Sequence, residues 1–262
     1  MLTEGSILRQ VGAWRWWVIA LLLPLLLYAD STRVDPRAYR LGERLDFDVY
    51  LEFVQGGTAR MEVAGLEDID GKPCYHFVST AISSRTVDRF YKVRDRVESW
   101  RDAEGGFTRL YKKVLREGKY RCNKKVEYYP EKSAARMFRK ADAEPEALQI
   151  KGSVQDVLSA LYDVRTRKLK VGEPVFVELH DIDKQYTLQV DVLSRETVEV
   201  PAGRFDCIVV EPRLTSAGLF RREGVIQVWL TDDANHMPVL MKSKLYFGRV
   251  WAKLTEFYLG GK

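Results

Sequence analysis

Asp232, Asp233 and His236 put two carboxylates and an imidazole into the stretch TDDANHM, the chain's strongest candidate for chemistry. Side chains of these types bind a metal ion or perform acid–base work when they converge on one point. The alternative is an Asp-rich turn whose carboxylates accept backbone N–H groups ahead of a strand beginning near Met237. The pattern favours the turn, because neighbouring residues at a strand end point to opposite sides. His180, Asp181 and Asp183 form a second group, again where a hairpin loop is expected. Ser159 lies in LSALY without the glycines of a nucleophile elbow, and no Gly-rich phosphate loop occurs. The histidines His76, His180 and His236 are too scattered for zinc. The reading is therefore of a protein with no catalytic residue, no metal and no cofactor. The enzymatic alternative is a glycan- or peptidoglycan-modifying protein that uses Asp232 and Asp233, and a third reading is a structural protein-interaction module that meets a partner protein through its basic strands.

Two other residue sets point to binding. Residues 107–140 are crowded with cations, among them Lys112, Lys113, Arg116, Lys124 and Lys125, with tyrosines interleaved. Such a strand face can hold lipid headgroups, lipopolysaccharide phosphates or acidic glycan. The plainer account is a solvated outer face whose lysines protect exposed strand edges. The second set is apolar. Leu158, Leu161 and Tyr162, with Trp229, Leu245 and Phe247, are candidates to line a groove for a lipid, an acyl chain or a lipoprotein anchor. Trp100, Trp229 and Trp251 otherwise read as core or rim aromatics.

The 262 residues, 46% hydrophobic and 30% charged, suffice for one sizeable globular domain or two small ones. A net charge of +5 fits anionic surroundings, and the chain carries no nucleic-acid recognition signature. Arg9 and Arg15 precede the apolar run at residues 16–29, which Asp30 ends. That run has the length of an export signal and falls short of the ~20 residues of a spanning helix. Leu27 and Ala29 match the small-x-small cleavage pattern only in part, so an uncleaved inner-membrane anchor stays open. Residues 1–29 are thus read as signal or anchor, 30–40 as a linker and 41–260 as one β-rich periplasmic domain that meets the envelope membrane surface. Cys74, Cys122 and Cys207 are odd in number, and Cys74 and Cys207 lie in apolar strand contexts, as small buried hydrophobes do.

Around these residues the chain reads mostly as strand. LDFDVYLEFV (45–54) alternates, Gln55-Gly56-Gly57 turns, and TARMEVAGLEDI resumes the alternation as a hairpin partner. SVQDVLSALYDVRTR (153–167) is the clearest helix, with Ser153 as N-cap, Val154, Val157, Leu158, Leu161 and Tyr162 at helical spacing, and Arg165 and Arg167 at its end. At least ten strands joined by tight turns predict a mainly β protein, an antiparallel sheet curled into an open or half barrel around that one central helix.

GERLDFDVYLEFVQGGTARMEV, DVLSALYDVR, VPAGRFDCIVVEP and VWLTDDANHMPVLMKSKLYFGRVWAKL occur in this order. In that combination the chain resembles the exported bacterial family known as domain of unknown function 3108, over about residues 40–258. The resemblance implies an envelope protein with a mainly β fold and no established catalytic residues. Its shape is also similar to the half-barrel with inserted helix of the periplasmic lipoprotein carriers, an analogy of fold that bears on ligand class alone.

Overall fold

The computed structural model describes residues 38–139, 144–181, 184–214, 226–245 and 248–261. The first half of the chain supplies β1 (Glu43–Leu51), β2 (Val54–Ile69), β3 (Lys72–Ser83), a one-turn helix α1 (Arg85–Asp88), β4 (Arg94–Asp102), β5 (Thr108–Glu117), β6 (Tyr120–Tyr129), β7 (Ala134–Phe138) and β8 (Glu146–Gln149). After the helix α2 (Val157–Arg165) come β9 (Val175–Asp181), β10 (Lys184–Val200), β11 (Gly203–Leu214), β12 (Ile226–Thr231), β13 (Pro238–Leu245) and β14 (Gly248–Leu259).

Among the described residues these fourteen strands make one antiparallel sheet, in the order β8-β7-β6-β5-β4-β3-β2-β1-β14-β13-β12-β11-β10-β9. Each strand pairs with its sequence neighbour, as short turns dictate. The exception is the central pair, where the first strand meets the last, Glu43 opposite Leu259. The two free edges, β8 and β9, are therefore the strands that flank α2 in sequence, and the sheet does not close into a barrel. Backbone bonds carry the connecting segment from one half of the sheet to the other. Thr108 N–H donates to the Val154 carbonyl (3.0 Å), Gln155 N–H to Glu178 (2.8 Å) and His180 N–H to Gln155 (2.8 Å).

Helix α2 begins three residues later than its apolar periodicity predicts. Asp156, not Ser153, is the N-cap; its carboxylate accepts from the Leu158 and Ser159 N–H groups, and the Ser159 hydroxyl accepts from the Asp156 N–H. Such a capping box contributes about 1 kcal/mol. Val154 and Gln155, which the periodicity placed inside the helix, are extended: Gln155 bridges to Leu179 beside β9. The tertiary backbone partners outweigh a helical turn there.

Seven of the nine residues of α2 are buried. Leu158 and Tyr162 join a core drawn from β1, β2, β3 and β11–β14, including Leu45, Phe77, Trp229 and Leu254. Ala160 and Val164 join a second, with Val177, Val190, Ile208 and Leu230. Buried ion pairs hold the helix at its polar positions. The Arg165 guanidinium forks onto both oxygens of Glu43 at 2.7 Å and donates to the Ala38 and Asn235 carbonyls. Arg101 donates to Asp163 at 2.9 Å. Ser99 and Thr108 hydroxyls donate to the Asp156 carboxylate, tying the start of α2 to β4 and β5.

The first hairpin also departs from its sequence pattern. The alternation runs through Phe53, but β1 ends at Leu51 and the chain turns at Glu52-Phe53, two residues before the Gly pair. Glu52 takes φ +52°, and a register shift between Val49 and Tyr50 absorbs the difference. Phe53, expected on the dry face, is 90% exposed at the turn. Residues 146–149, expected within a loop, pair with β7 as an edge strand.

Candidate functional site

The Asp232 and Asp233 side chains serve different partners. Asp232 accepts from the Arg195 Nε at 2.6 Å across the sheet. Asp233 accepts from the Thr231 hydroxyl (2.7 Å) and from the Asn235 (2.9 Å) and His236 (3.2 Å) N–H groups. Burial works against ionisation of Asp233, yet these hydrogen bonds outweigh it and hold its pKa below the ordinary value. His236, at φ +41°, turns away and donates its Nδ1–H to the Arg165 carbonyl at the end of α2 (2.8 Å). The three residues thus build the β12–β13 turn and dock it on the helix. Among the described residues no group of His, Cys, Asp or Glu is placed to hold a metal ion.

His180 is buried on β9 with Nδ1 3.0 Å from the Tyr128 hydroxyl of β6, and Asp181 ends the strand 4.0 Å from Lys113. Asp183 lies outside the described residues. Ser159 is fully buried, its hydroxyl 2.7 Å from that of Thr108, and belongs to the helix cap. No disulfide joins the cysteines: all three are free and buried, and burial pushes the Cys74 thiol up to about 11 and the Cys207 thiol up to about 12. Both thiols are held protonated, and so inert, at neutral pH.

The groove candidates are brought together, but as packing. Leu158, Tyr162 and Trp229 sit in one buried core with Leu161 packed against it. Phe77 stacks on Tyr162 with ring centroids 3.8 Å apart, so the protein's own side chains occupy the space between α2 and β3. Leu245 ends β13, and Phe247 lies outside the described residues.

The basic candidates divide between two faces. In the β5–β6 ladder Lys112 stands opposite Lys125, Lys113 opposite Lys124 and Arg116 opposite Arg121. Since faces alternate, Lys112, Lys125 and Arg116 share one side, and Lys113 and Lys124 the other. Lys112 lies over the Trp100 ring (4.7 Å), and Lys125 pairs with Glu127 at 2.5 Å. Only Arg116 of the five is itself exposed.

Two arrangements escaped the sequence. His76 contacts Glu67 through Nδ1 (2.9 Å) and Glu98 through Nε2 (3.2 Å) and stacks on Trp100 at 4.2 Å, while the Trp100 indole donates to Glu67. These residues come from β2, β3 and β4, and only the pairing register unites them. The second is a surface pocket of about 460 Å³ lined by Lys92, Arg94, Arg116 and Arg121, at the end of the sheet where β3, β4, β5 and β6 turn. Clusters of cations in the sequence hinted at it, but Lys92, ahead of β4, and Arg94, its first residue, lie outside the segment that looks basic.

The fold and these contacts define a mainly β protein whose buried polar groups serve structure. The chain belongs to the family described as protein of unknown function (DUF3108), whose model matches residues 46–255. No curated protein matches the chain. Among solved structures it is similar to a beta-barrel-like protein of domain of unknown function DUF1849 from Brucella abortus, with TM-score 0.54 and 13% identity over 85% of this chain and all (100%) of that one. That likeness is one of fold. More distant are a Bacteroides fragilis protein described as exported with a YmcC-like fold (TM-score 0.36, 10% identity, 84% of this chain and 97% of that one) and a Parabacteroides distasonis protein described as a lipoprotein (TM-score 0.37, 11% identity, 84% and 96%).

Proposed function

We propose that this chain is a non-catalytic, exported cell-envelope protein that binds an amphipathic ligand, a lipid or an acylated protein, on its outer surface. One observation carries the reading: Leu158, Tyr162 and Trp229 fill the space beside α2, whereas exposed aromatics and a pocket lined by cations lie outside. A folded protein has little reason to keep large apolar side chains in water beside a cationic pocket unless a partner meets them. The sheet in this reading curls about α2 and braces it, as the contact between Tyr128 of β6 and His180 of β9 supports. The helix is then a strut, and the analogy with carriers that enclose their cargo stops at the outline of the fold. Export rests on the arginine-flanked apolar run at residues 16–29. The carboxylates Asp232 and Asp233, occupied by Arg195 and by turn N–H groups, leave a glycan-modifying role without a paired acid and base.

The test is mass spectrometry of lipids that co-purify with the protein from its native envelope, paired with titration of a fluorescent fatty acid. A bound phospholipid or acylated peptide near one per chain is expected. A protein free of lipid that also leaves the fatty-acid fluorescence unchanged overturns the reading.

A further inference from the structure

The geometry points to one end of the sheet as the recognition surface, and we propose that it docks on an anionic phospholipid bilayer, with a lipid phosphate between Lys92, Arg94, Arg116 and Arg121 and with Phe53 and Phe90 entering the interface. This rests on the amphipathic-ligand reading above and gives it a location and a lipid class.

Several turns meet there and are fastened side by side. Glu52 N–H donates to the Arg249 carbonyl, joining the β1–β2 turn to the start of β14; Ser84 N–H donates to Gly56; and Gly118 N–H donates to Lys92, each at 2.8 Å. The β1–β2 turn, the β3–β4 connection and the β5–β6 turn are therefore one continuous rim rather than separate loops. An added Cβ on Gly118 would come within 2.7 Å of the Tyr91 ring, so the β5–β6 turn and the connection are also closely packed.

The rim carries the carboxylates Glu52, Asp88 and Glu117, but the lining of its pocket has one sign of charge. All four residues lining the pocket are cationic. Asp88 takes both ends of the Arg94 fork (3.0 and 2.6 Å), Asp95 accepts the Arg116 backbone N–H at 2.9 Å, and Arg121 spends donors on the Gly118 and Tyr120 carbonyls, so Lys92 and the Arg116 and Arg121 side chains carry the pocket's unpaired charge among the described residues. A surplus of positive charge is left in an open pocket large enough for a phosphate. Arginine forks match phosphate oxygens, and Lys92 adds a point charge.

Apolar groups flank that charge. Phe53 is 90% and Phe90 86% exposed, the two highest values among the large hydrophobic residues described, and Val54 and Ile82, on the strands beside the same turns, are 65% and 47% exposed. Phe53 lies in a shallow pocket with Glu52, Arg249, Trp251 and Lys253; Glu52 pairs with Arg249 at 3.1 Å, which leaves Lys253 as the surplus cation beside the rings among the described residues. A free anion would need only the pocket, whereas the two aromatic tips call for an apolar partner beside the charge. Cations beside protruding rings match a bilayer interface, where headgroups meet the first methylenes.

The experiment is amide hydrogen exchange of the full chain in nanodiscs of phosphatidylcholine alone and of phosphatidylcholine mixed with phosphatidylglycerol. Any contribution of residues 16–29 is common to both discs, so the difference between them isolates the rim. Slower exchange at residues 51–54, 85–92 and 117–120 in the anionic discs is expected. Each cation near an anionic surface contributes about fivefold in partitioning, so Lys92→Glu with Arg116→Glu lowers that protection on the order of tenfold or more. Phe53→Ser with Phe90→Ser, which remove no packed side chain, weaken it as well. Equal exchange in the two discs, protection that survives both double variants, or the same protection from inorganic phosphate without lipid each overturns the inference. If lipid still co-purifies from the envelope in that event, the broader reading stands; if none does, both fall.

Discussion

The seat of α2 and the rim around Phe90 are built from the same residue types, arginine and aromatic rings, and treat them in opposite ways. At the seat each guanidinium has its carboxylate, Arg165 with Glu43 and Arg101 with Asp163, and the Arg165 plane lies over Tyr162 at 5.1 Å. At the rim Asp88 answers only Arg94, and the rings face water. Fully buried charges persist only when matched, because desolvation costs several kcal/mol per ion. The rim pays nothing comparable for its surplus, since solvent screens it. A mutation at the seat should therefore be read in stability, and one at the rim in binding.

The largest effect separates the two regions directly. Arg165→Ala strands Glu43, which is 2% exposed, and Glu43→Ala strands Arg165. Either is expected to cost about 3–5 kcal/mol, measured by urea unfolding. Arg165→Met with Glu43→Leu leaves no lone charge and should recover most of that loss. If the single variants unfold like the wild type, the ion pair is not what seats the helix.

A smaller loss is expected at the β12–β13 turn. Asp233→Ala removes acceptors for the Thr231 hydroxyl and two N–H groups, about 1–2 kcal/mol. The folded carboxyl titrates below its ordinary 3.8, so its contribution is present above that value and disappears as pH falls through the lower, folded one. Wild type and variant should thus differ fully at neutral pH and converge in acid. A catalytic Asp233 would instead lose an activity at unchanged stability.

How much of this was legible in the chain depends on the range of the interaction. Hairpins such as β2–β3 follow from alternation and the Asp70-Gly71 turn, both local. The register that brings Glu67, His76 and Glu98 together is not local: a shift between Val63 and Gly65 decides which residue opposes His76. The start of α2 was misplaced for the same reason. Ser153 is a good cap by type, but Asp156 also receives the hydroxyls of Ser99 and Thr108, more than 45 residues away in the chain. Apolar spacing marked Leu158 and Tyr162 as facing the sheet; it could not distinguish a groove from the packed core they join, since both demand the same residues. At the rim the failure ran the other way. Alternation through Phe53 spelled a buried strand, and Glu52 at positive φ ended it early.

Tyr162→Phe probes how tightly the seat is closed. The ring stacks on Phe77, and its hydroxyl oxygen is buried without a hydrogen-bond partner among the described residues. A lone buried hydroxyl costs roughly 1–3 kcal/mol to desolvate, whereas the ring's packing is kept in Phe. The variant should be about 1 kcal/mol more stable, seen as a raised urea midpoint with unchanged slope. A loss would mean that the hydroxyl serves a polar ligand next to the helix and that the seat is not sealed.

The smallest stability effect is expected where binding is most affected. Phe53 and Phe90 bury so little that serine at both should change unfolding by less than about 0.5 kcal/mol. Exposed turn residues with no packed partner have little to lose on truncation, and removing apolar surface from water is itself favourable. The comparison with the seat is sharpest if both measurements come from one sample: an unchanged urea midpoint with weakened protection in anionic discs. Should the double variant unfold with a loss of several kcal/mol instead, the rings are packing groups. The rim would then belong with the seat as structure.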